Sequence, residues 1–306
     1  MSADDEAQVE VFDVVGPLDL VATMSVLAQP RRDPSIRIES PTSVALALRS
    51  PAGDVATARF VSRRDRLVVT AWGPGAAWLL SRGDRLAGLG DDPASFTTDD
   101  PAIAPLARRW AGLRLTAGST PYDVALRAVF GQRVTGGEAT SSWWAFVRRF
   151  GETAPGPLEL FAPPHPERAA ALPVWEWRSL GLEGSRSIAA AALSREASRL
   201  ASDDGDRERV ERRLAALPGI GPWTLGLVRH LAYGDASAVP LGDWHIARDV
   251  CFALTGEERG DDARMIELLQ RFPGNGGRVW RLVHAAGIHH PRRAPGVRLS
   301  PIERWR

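Results

Sequence analysis

The stretch LPGIGPWTLGLVRHLAYGDASAVPLGDWHI, residues 217–246, decides how the larger part of the chain is read. Its Pro218-Gly219-Ile220-Gly221 tetrapeptide reads as a tight turn between a helix ending at Ala216 and another opening at Pro222. Proline suits that first helical position because the amide there has no intrahelical acceptor. Two glycines two apart permit positive φ and leave backbone amides uncovered by side chains. Those amides fall at a helix N-terminus, where partial positive charge suits an anion such as phosphate. Ile220 is expected to turn inward and pin the two helices together. An ordinary helix–helix connection has the same glycine spacing, so the turn alone decides little. Asp243 adds to it, twenty residues after Trp223 in PLGDWHI, at the start of a further helix. Aspartate is a frequent helix cap. A carboxylate beside an anion-gripping turn also stabilises the positive charge that develops on a sugar as its N-glycosidic bond breaks. The two roles are compatible.

Working outward, helical periodicity recurs over 102–111, 121–132, 135–149, 166–172, 185–201, 206–216, 222–231, 244–254, 261–272 and 277–286, with no convincing strand among them. Thr135 followed three residues on by Glu138 has the pattern of a capping box. Toward the N-terminus the pattern changes. Stretches 10–15, 36–39, 44–49, 55–62 and 66–72 read as strands, with helices at 18–28 and from Pro74 to about residue 82. Short turns between consecutive strands imply an antiparallel sheet with helices on one face. The Gly-, Asp- and Pro-rich segment GLGDDPASFTTDDP, residues 88–101, is the expected boundary. The expected fold is α+β, with an antiparallel-sheet domain over 1–95 and an all-helical domain over 96–306, the latter ending in an irregular Arg-rich tail.

Composition narrows the chemistry. The 306 residues are 44% hydrophobic and 25% charged, and no apolar run approaches the roughly 18 residues of a membrane span. The first thirty residues lack a basic segment followed by an apolar core, so a cytoplasmic protein with no membrane partner is expected. A single cysteine, Cys251, excludes intramolecular disulfides, four-thiolate clusters and cysteine-rich zinc sites. All 38 basic residues are arginine, which closes any route through a lysine Schiff base. The net charge of +1 is unevenly spread: residues 1–100 are net −5, and the remainder +6. That asymmetry suits either a nucleic-acid surface or a solvated arginine face.

With these motifs in order, VFGQRVTGGEA (129–139), LGLEGSRSIAAAA (180–192) and LPGIGPWT (217–224), the chain resembles the helix-hairpin-helix DNA glycosylase superfamily. Within it, the 3-methyladenine DNA glycosylase II (alkylbase) branch is the most similar. The resemblance spans roughly residues 102–290, and an N-terminal antiparallel sheet, as in this branch, fits 9–90. It implies a monofunctional enzyme of base excision repair that flips alkylated purines out of double-stranded DNA and hydrolyses their N-glycosidic bond, acting as a monomer. Two alternatives stand beside it: the same chemistry on oxidised or deaminated bases, and a non-catalytic damaged-DNA-binding protein, against which the presence of Asp243 argues.

Carried over residue by residue, the resemblance implies that Asp243 is the catalytic aspartate. Gly219, Ile220, Gly221 and Thr224 form the DNA-backbone hairpin. Lyase-active members carry a lysine at the position of Trp223; the lack of any lysine here points independently to hydrolysis by water. Gln132 and Arg133 fall where a side chain enters the duplex beside the flipped base, although Arg133 also suits a phosphate contact or a helix-end cap. Trp223 and Trp244, flanking Asp243, are the expected faces for an electron-poor base, with Trp175, Trp177 and Tyr122 as further pocket walls. Trp72, Trp78, Trp110, Trp143, Trp144 and Trp280 are expected in the core. No side-chain metal site is expected: His284, His289 and His290 fit no standard spacing. An ion at the hairpin carbonyls is the one ancillary group left open.

Overall fold

The computed structural model describes residues 6–28, 33–202 and 205–291; the Arg-rich tail expected after Pro291 lies outside them. Strands β1 (Gln8–Asp13), β2 (Ile36–Ser40), β3 (Ser43–Arg49), β4 (Val55–Arg63) and β5 (Arg66–Trp72) form an antiparallel sheet in the order β1-β5-β4-β3-β2. Alternation along β3 sends Val44, Leu46 and Leu48 to one face. There they join Leu20 and Met24 of α1 (Leu20–Met24) and Leu79 of α2 (Ala76–Leu80) in one core.

The other face is covered too, contrary to the one-sided sheet read from sequence. Ala45 and Ala47 pack with Trp72, Leu158, Leu160 and Ala162, so β3 is buried continuously from Ser43 to Leu48. The cover comes from the helical part of the chain, as a ribbon of β6 (Glu152–Thr153) and β7 (Phe161–Ala162). The segment after residue 102 is therefore not strand-free. Two-residue strands are too short to show a period of two.

After the short α3 (Gly83–Leu86) the helices follow as α4 (Ala104–Arg109), α5 (Pro121–Gly131), α6 (Gly136–Phe150), α7 (Pro166–Ala170), α8 (Val174–Ser179), α9 (Ser185–Ser202), α10 (Arg207–Ala215), α11 (Pro222–Tyr233), α12 (Ile246–Thr255), α13 (Asp262–Leu269) and α14 (Gly276–Ala285). The α6 capping box is present: Glu138 N–H donates to Thr135 Oγ1 at 3.3 Å, and Thr135 N–H donates to Glu138 Oε2 at 2.9 Å. A core of Phe130, Trp143, Phe146 and Trp177 joins α5, α6 and α8, and extends to Leu193 of α9 and Val228 of α11. A separate core gathers α12, α13 and α14 around Val250, Cys251, Met265 and Val279. Buried Arg278 of α14 pairs with Asp91 at 2.5 Å, and Asp91 Oδ2 also accepts the Leu115 amide at 2.9 Å. The segment between the sheet and the helices is thereby tied to the helical part.

Candidate active site

The turn before α11 is built as the glycines require, though by different means. Gly219 has φ +78°, the left-handed region, whereas Gly221 is extended at φ −125°, ψ −172°. Only Gly219 needs glycine for its conformation; at Gly221 the missing Cβ leaves open space, with no heavy atom within 4 Å of where it would sit. Ile220 is buried against the helical core, so it pins the turn from inside. The first intrahelical bond is Leu225 N–H to the Gly221 carbonyl at 3.0 Å. The amides of Gly221, Trp223 and Thr224 therefore lack intrahelical acceptors, and those of the partly exposed Gly221 and Trp223 lie at the helix N-terminus where an anion is favoured.

The Thr224 side chain does not belong to that face. The whole residue is buried, main chain included, and its hydroxyl accepts from Gln132 Nε2 at 3.2 Å, so Thr224 offers nothing to a phosphate, contrary to its expected place in the DNA-backbone hairpin. Gln132 Nε2 also donates to the Gly219 carbonyl at 2.9 Å. The Gln132 side chain is thus tied to the hairpin rather than free to enter a duplex, which corrects its assignment as a wedge. That bond also engages one of the hairpin carbonyls that an ion would use. Among the described residues, no group of three or more His, Cys, Asp or Glu side chains is placed to hold a metal.

Arg133, next in sequence, is exposed and has φ +54°, an uncommon conformation for a residue with a side chain. Among the described residues, it makes no side-chain hydrogen bond or ion pair.

Asp243 is half-buried, and both its oxygens are engaged. Oδ1 accepts the amides of His245 at 2.7 Å and Ile246 at 2.9 Å, capping α12 from outside. This cap is why α12 opens at Ile246 rather than at Trp244. Oδ2 accepts the indole N–H of Trp223 at 3.0 Å. Trp223 in turn lies close to α5, where a Cβ on Gly131 would sit 3.3 Å from its ring.

Asp243 and Trp223 open onto a cavity of about 410 Å³ between the sheet and the helices. Ile36, Leu46 and Leu48 wall it on the sheet side; Asp123 and Arg127 of α5, Leu227 and Leu231 of α11, and Trp280 and His284 of α14 wall it on the other. Arg127 is held by Asp33, Nη1 to Oδ2 2.6 Å, with its guanidinium carbon 4.2 Å from the Trp143 ring centroid. Asp123 is enclosed apart from the cavity, and desolvation pushes its carboxyl up from the usual range against the opposing Thr120 hydroxyl and Arg127 cation. His284 is exposed to solvent and borders the cavity. Desolvation, with the Arg281 cation beside it, pushes its imidazole down to about 4, so it is neutral at pH 7.

Four of the expected pocket walls are elsewhere. Tyr122 is buried with its hydroxyl 3.2 Å from Ser194 Oγ, and it borders a different cavity beside Arg49 and His165. Trp177 is a core residue stacked on Phe146, centroids 5.4 Å apart. Trp175 is 70% exposed, on the outer side of α8. Trp244 is 69% exposed, outside the cavity, with the Arg248 guanidinium 3.6 Å from its ring centroid. Of the tryptophans expected in the core, Trp144 is instead exposed, while Trp280 is buried and at the same time a cavity wall. His289 and His290 do not face a ligand: both Nδ1 atoms engage Asp249, at 3.0 and 2.6 Å.

The cavity walls missed in the sequence had one usable signal. Asp123 with Arg127, and Trp280 with His284, are i, i+4 pairs and so share a helix face.

The fold has solved counterparts. No protein-family model matches the sequence, and no curated protein matches it. Solved structures do match the fold. A 3-methyladenine DNA glycosylase from Archaeoglobus fulgidus superposes with a TM-score of 0.75 at 17% identity, over 90% of this chain and 98% of that one. An 8-oxoguanine glycosylase/lyase from Clostridium acetobutylicum, solved with double-stranded DNA containing cytosine opposite 8-oxoguanine, gives 0.59 at 12% identity over 82% and 96%. The chain thus has the fold of the helix-hairpin-helix DNA glycosylases: a sheet domain followed by helices that present a hairpin.

Proposed function

We propose that the protein is a monofunctional DNA glycosylase of base excision repair that removes alkylated purines such as 3-methyladenine. The observation that carries this reading is the single cluster formed by the hairpin amides, Asp243 and a cavity of about 410 Å³, a volume suited to a small ligand such as one base. In this reading the amides at Gly221 and Trp223 grip a DNA phosphate, and the damaged nucleotide swings out so that its base enters the cavity. The base leaves with the electron pair of its N-glycosidic bond. Asp243 stabilises the positive charge developing on the sugar, and water completes the displacement at C1′. With three donors already on its oxygens, Asp243 is suited to electrostatic stabilisation in a fixed position.

The charges around the cavity favour a cationic alkylpurine over a neutral oxidised base. Arg127 is neutralised by Asp33, His284 is uncharged at pH 7, and the Asp243 carboxylate faces the cavity beside the electron-rich ring of Trp223. The chain would act as a monomer on double-stranded DNA in the cytoplasm, at the nucleoid. Among the described residues, no helix is long and apolar enough to cross a membrane.

The test is base release from duplexes each carrying one lesion, with the released bases identified, and borohydride present in a parallel set. Release of alkylated purines without a trapped protein–DNA adduct is expected, since the chain has no lysine amine. Release confined to oxidised or deaminated bases would overturn the substrate, and efficient trapping would overturn the hydrolytic route.

A further inference from the structure

Gln132 sits at the junction of the two loops that a flipping enzyme must coordinate. It is the residue after α5, its carboxamide bonds to the Gly219 carbonyl at 2.9 Å and to Thr224 Oγ1 at 3.2 Å, and its chain neighbour is Arg133. A backbone carbonyl can only accept, which fixes the amide with Nε2 toward the hairpin. One side chain therefore spans 87 residues of sequence to join the hairpin to the loop between α5 and α6.

That loop is defined at both ends. Gln132 N–H closes α5 onto the Val129 carbonyl at 3.3 Å, and Thr135 caps α6. Between them Arg133 is held at φ +54° with its side chain exposed. A left-handed residue after a helix is ordinarily glycine. An arginine kept there, without a partner among the described residues, is strain of the kind that persists where surrounding structure over-determines it. The Gly219 carbonyl, fixed by the left-handed backbone of its own residue, is the anchor that Gln132 uses.

We infer that Gln132 is a positioning residue that locks Arg133, as the side chain entering the duplex, to the phosphate-gripping hairpin, so that gripping the backbone and filling the gap left by the flipped base occur in fixed register. This rests on the glycosylase reading above. It predicts that Gln132 affects the extrahelical state and not the grip on ordinary duplex, because the hairpin amides are aimed by their own backbone.

The experiment measures the affinity of the full chain for two duplexes of one sequence, one undamaged and one with a tetrahydrofuran abasic analogue, which resembles the flipped product. Gln132→Met keeps the length and removes both hydrogen bonds; Gln132→Glu replaces the donor with an acceptor facing the Gly219 carbonyl. In the wild type the abasic duplex should bind more tightly. Gln132→Met should cut that preference about tenfold, as expected for losing a pair of hydrogen bonds. Gln132→Glu should cut it further, and undamaged binding should stay within about twofold in Gln132→Met. Arg133→Ala should lose a similar preference, and the double variant Gln132→Met/Arg133→Ala should lose no more than the larger single loss, because the first residue acts through the second.

Full preference in Gln132→Met, additive losses in the double variant, or an equal loss on undamaged DNA would each overturn the coupling. A wild-type protein with no preference for the abasic duplex would instead strike the glycosylase reading itself, and the proposal with it.

Discussion

Replacing Gly221 with alanine separates a contact to DNA from a contact within the protein. The backbone there is extended, and the added Cβ would meet no heavy atom within 4 Å. Two small terms act on stability. Alanine reduces the freedom of the unfolded chain, worth about 0.4–1 kcal/mol in favour of the fold. As the residue preceding α11 it is a poorer N-cap than glycine, by roughly 0.5–1 kcal/mol. These offset, so the unfolding free energy should stay within about 0.5 kcal/mol of wild type. On the outside, the methyl group occupies the space through which a phosphate reaches the amides of Gly221 and Trp223. Losing one such contact should weaken binding about tenfold, on damaged and undamaged duplex alike, because phosphate contacts carry no sequence or lesion information. Gly219→Ala is the counter-case: at φ +78° its Cβ would lie 3.0 Å from the Ala189 Cβ, so it should also destabilise the fold by about 1–3 kcal/mol. The assay is urea unfolding beside a fluorescence-anisotropy titration of both duplexes. Unchanged DNA affinity in Gly221→Ala would refute the placement of the hairpin on the backbone, and a loss confined to damaged DNA would place it in the base pocket instead.

Trp223→Phe keeps a ring beside Gly131 but removes the indole N–H from Asp243 Oδ2; base release should fall about tenfold with duplex affinity unchanged, and release at the wild-type rate would show that this bond does not orient the carboxylate. His230 is buried beneath Trp280, and desolvation pushes its imidazole down to about 3. The unfolded chain therefore binds a proton near pH 6.5 that the folded one refuses, so stability is full above that pH and falls as the pH drops toward 3, by up to about 1.4 kcal/mol per unit from this residue. Unfolding at pH 6 and pH 4.5 should show a shallower fall in His230→Phe than in wild type; equal slopes would contradict the assignment.

The α+β order and the main strands and helices were legible because strand alternation, capping residues and turn glycines are local signals. The hairpin and the Asp243 cap lie within thirty consecutive residues and could be read together. The cavity could not be read that way. Its walls come from β2 and β3, from α5, and from α14 near the other end of the chain, and no local pattern records that Leu46 and His284 face the same space. In VWEWR two tryptophans stand two apart on α8, and sequence cannot say that Trp177 turns into the core while Trp175 turns out; the tertiary packing of Phe130 and Phe146 decides it. The anchoring of Gln132 has no sequence signature, because its partner is a backbone carbonyl.

If Asp243 stabilises the positive charge that develops on the sugar as the base departs, Asp243→Asn must slow base release. Asparagine retains an oxygen for the His245 and Ile246 amides, so the α12 cap survives, while its amide group replaces the carboxylate oxygen that faces Trp223. Single-turnover release from a 3-methyladenine duplex should fall by about 10²–10³-fold, with folding and affinity for the abasic duplex retained. A folded Asp243→Asn protein that releases the base within a few-fold of the wild-type rate would rule out that role for Asp243.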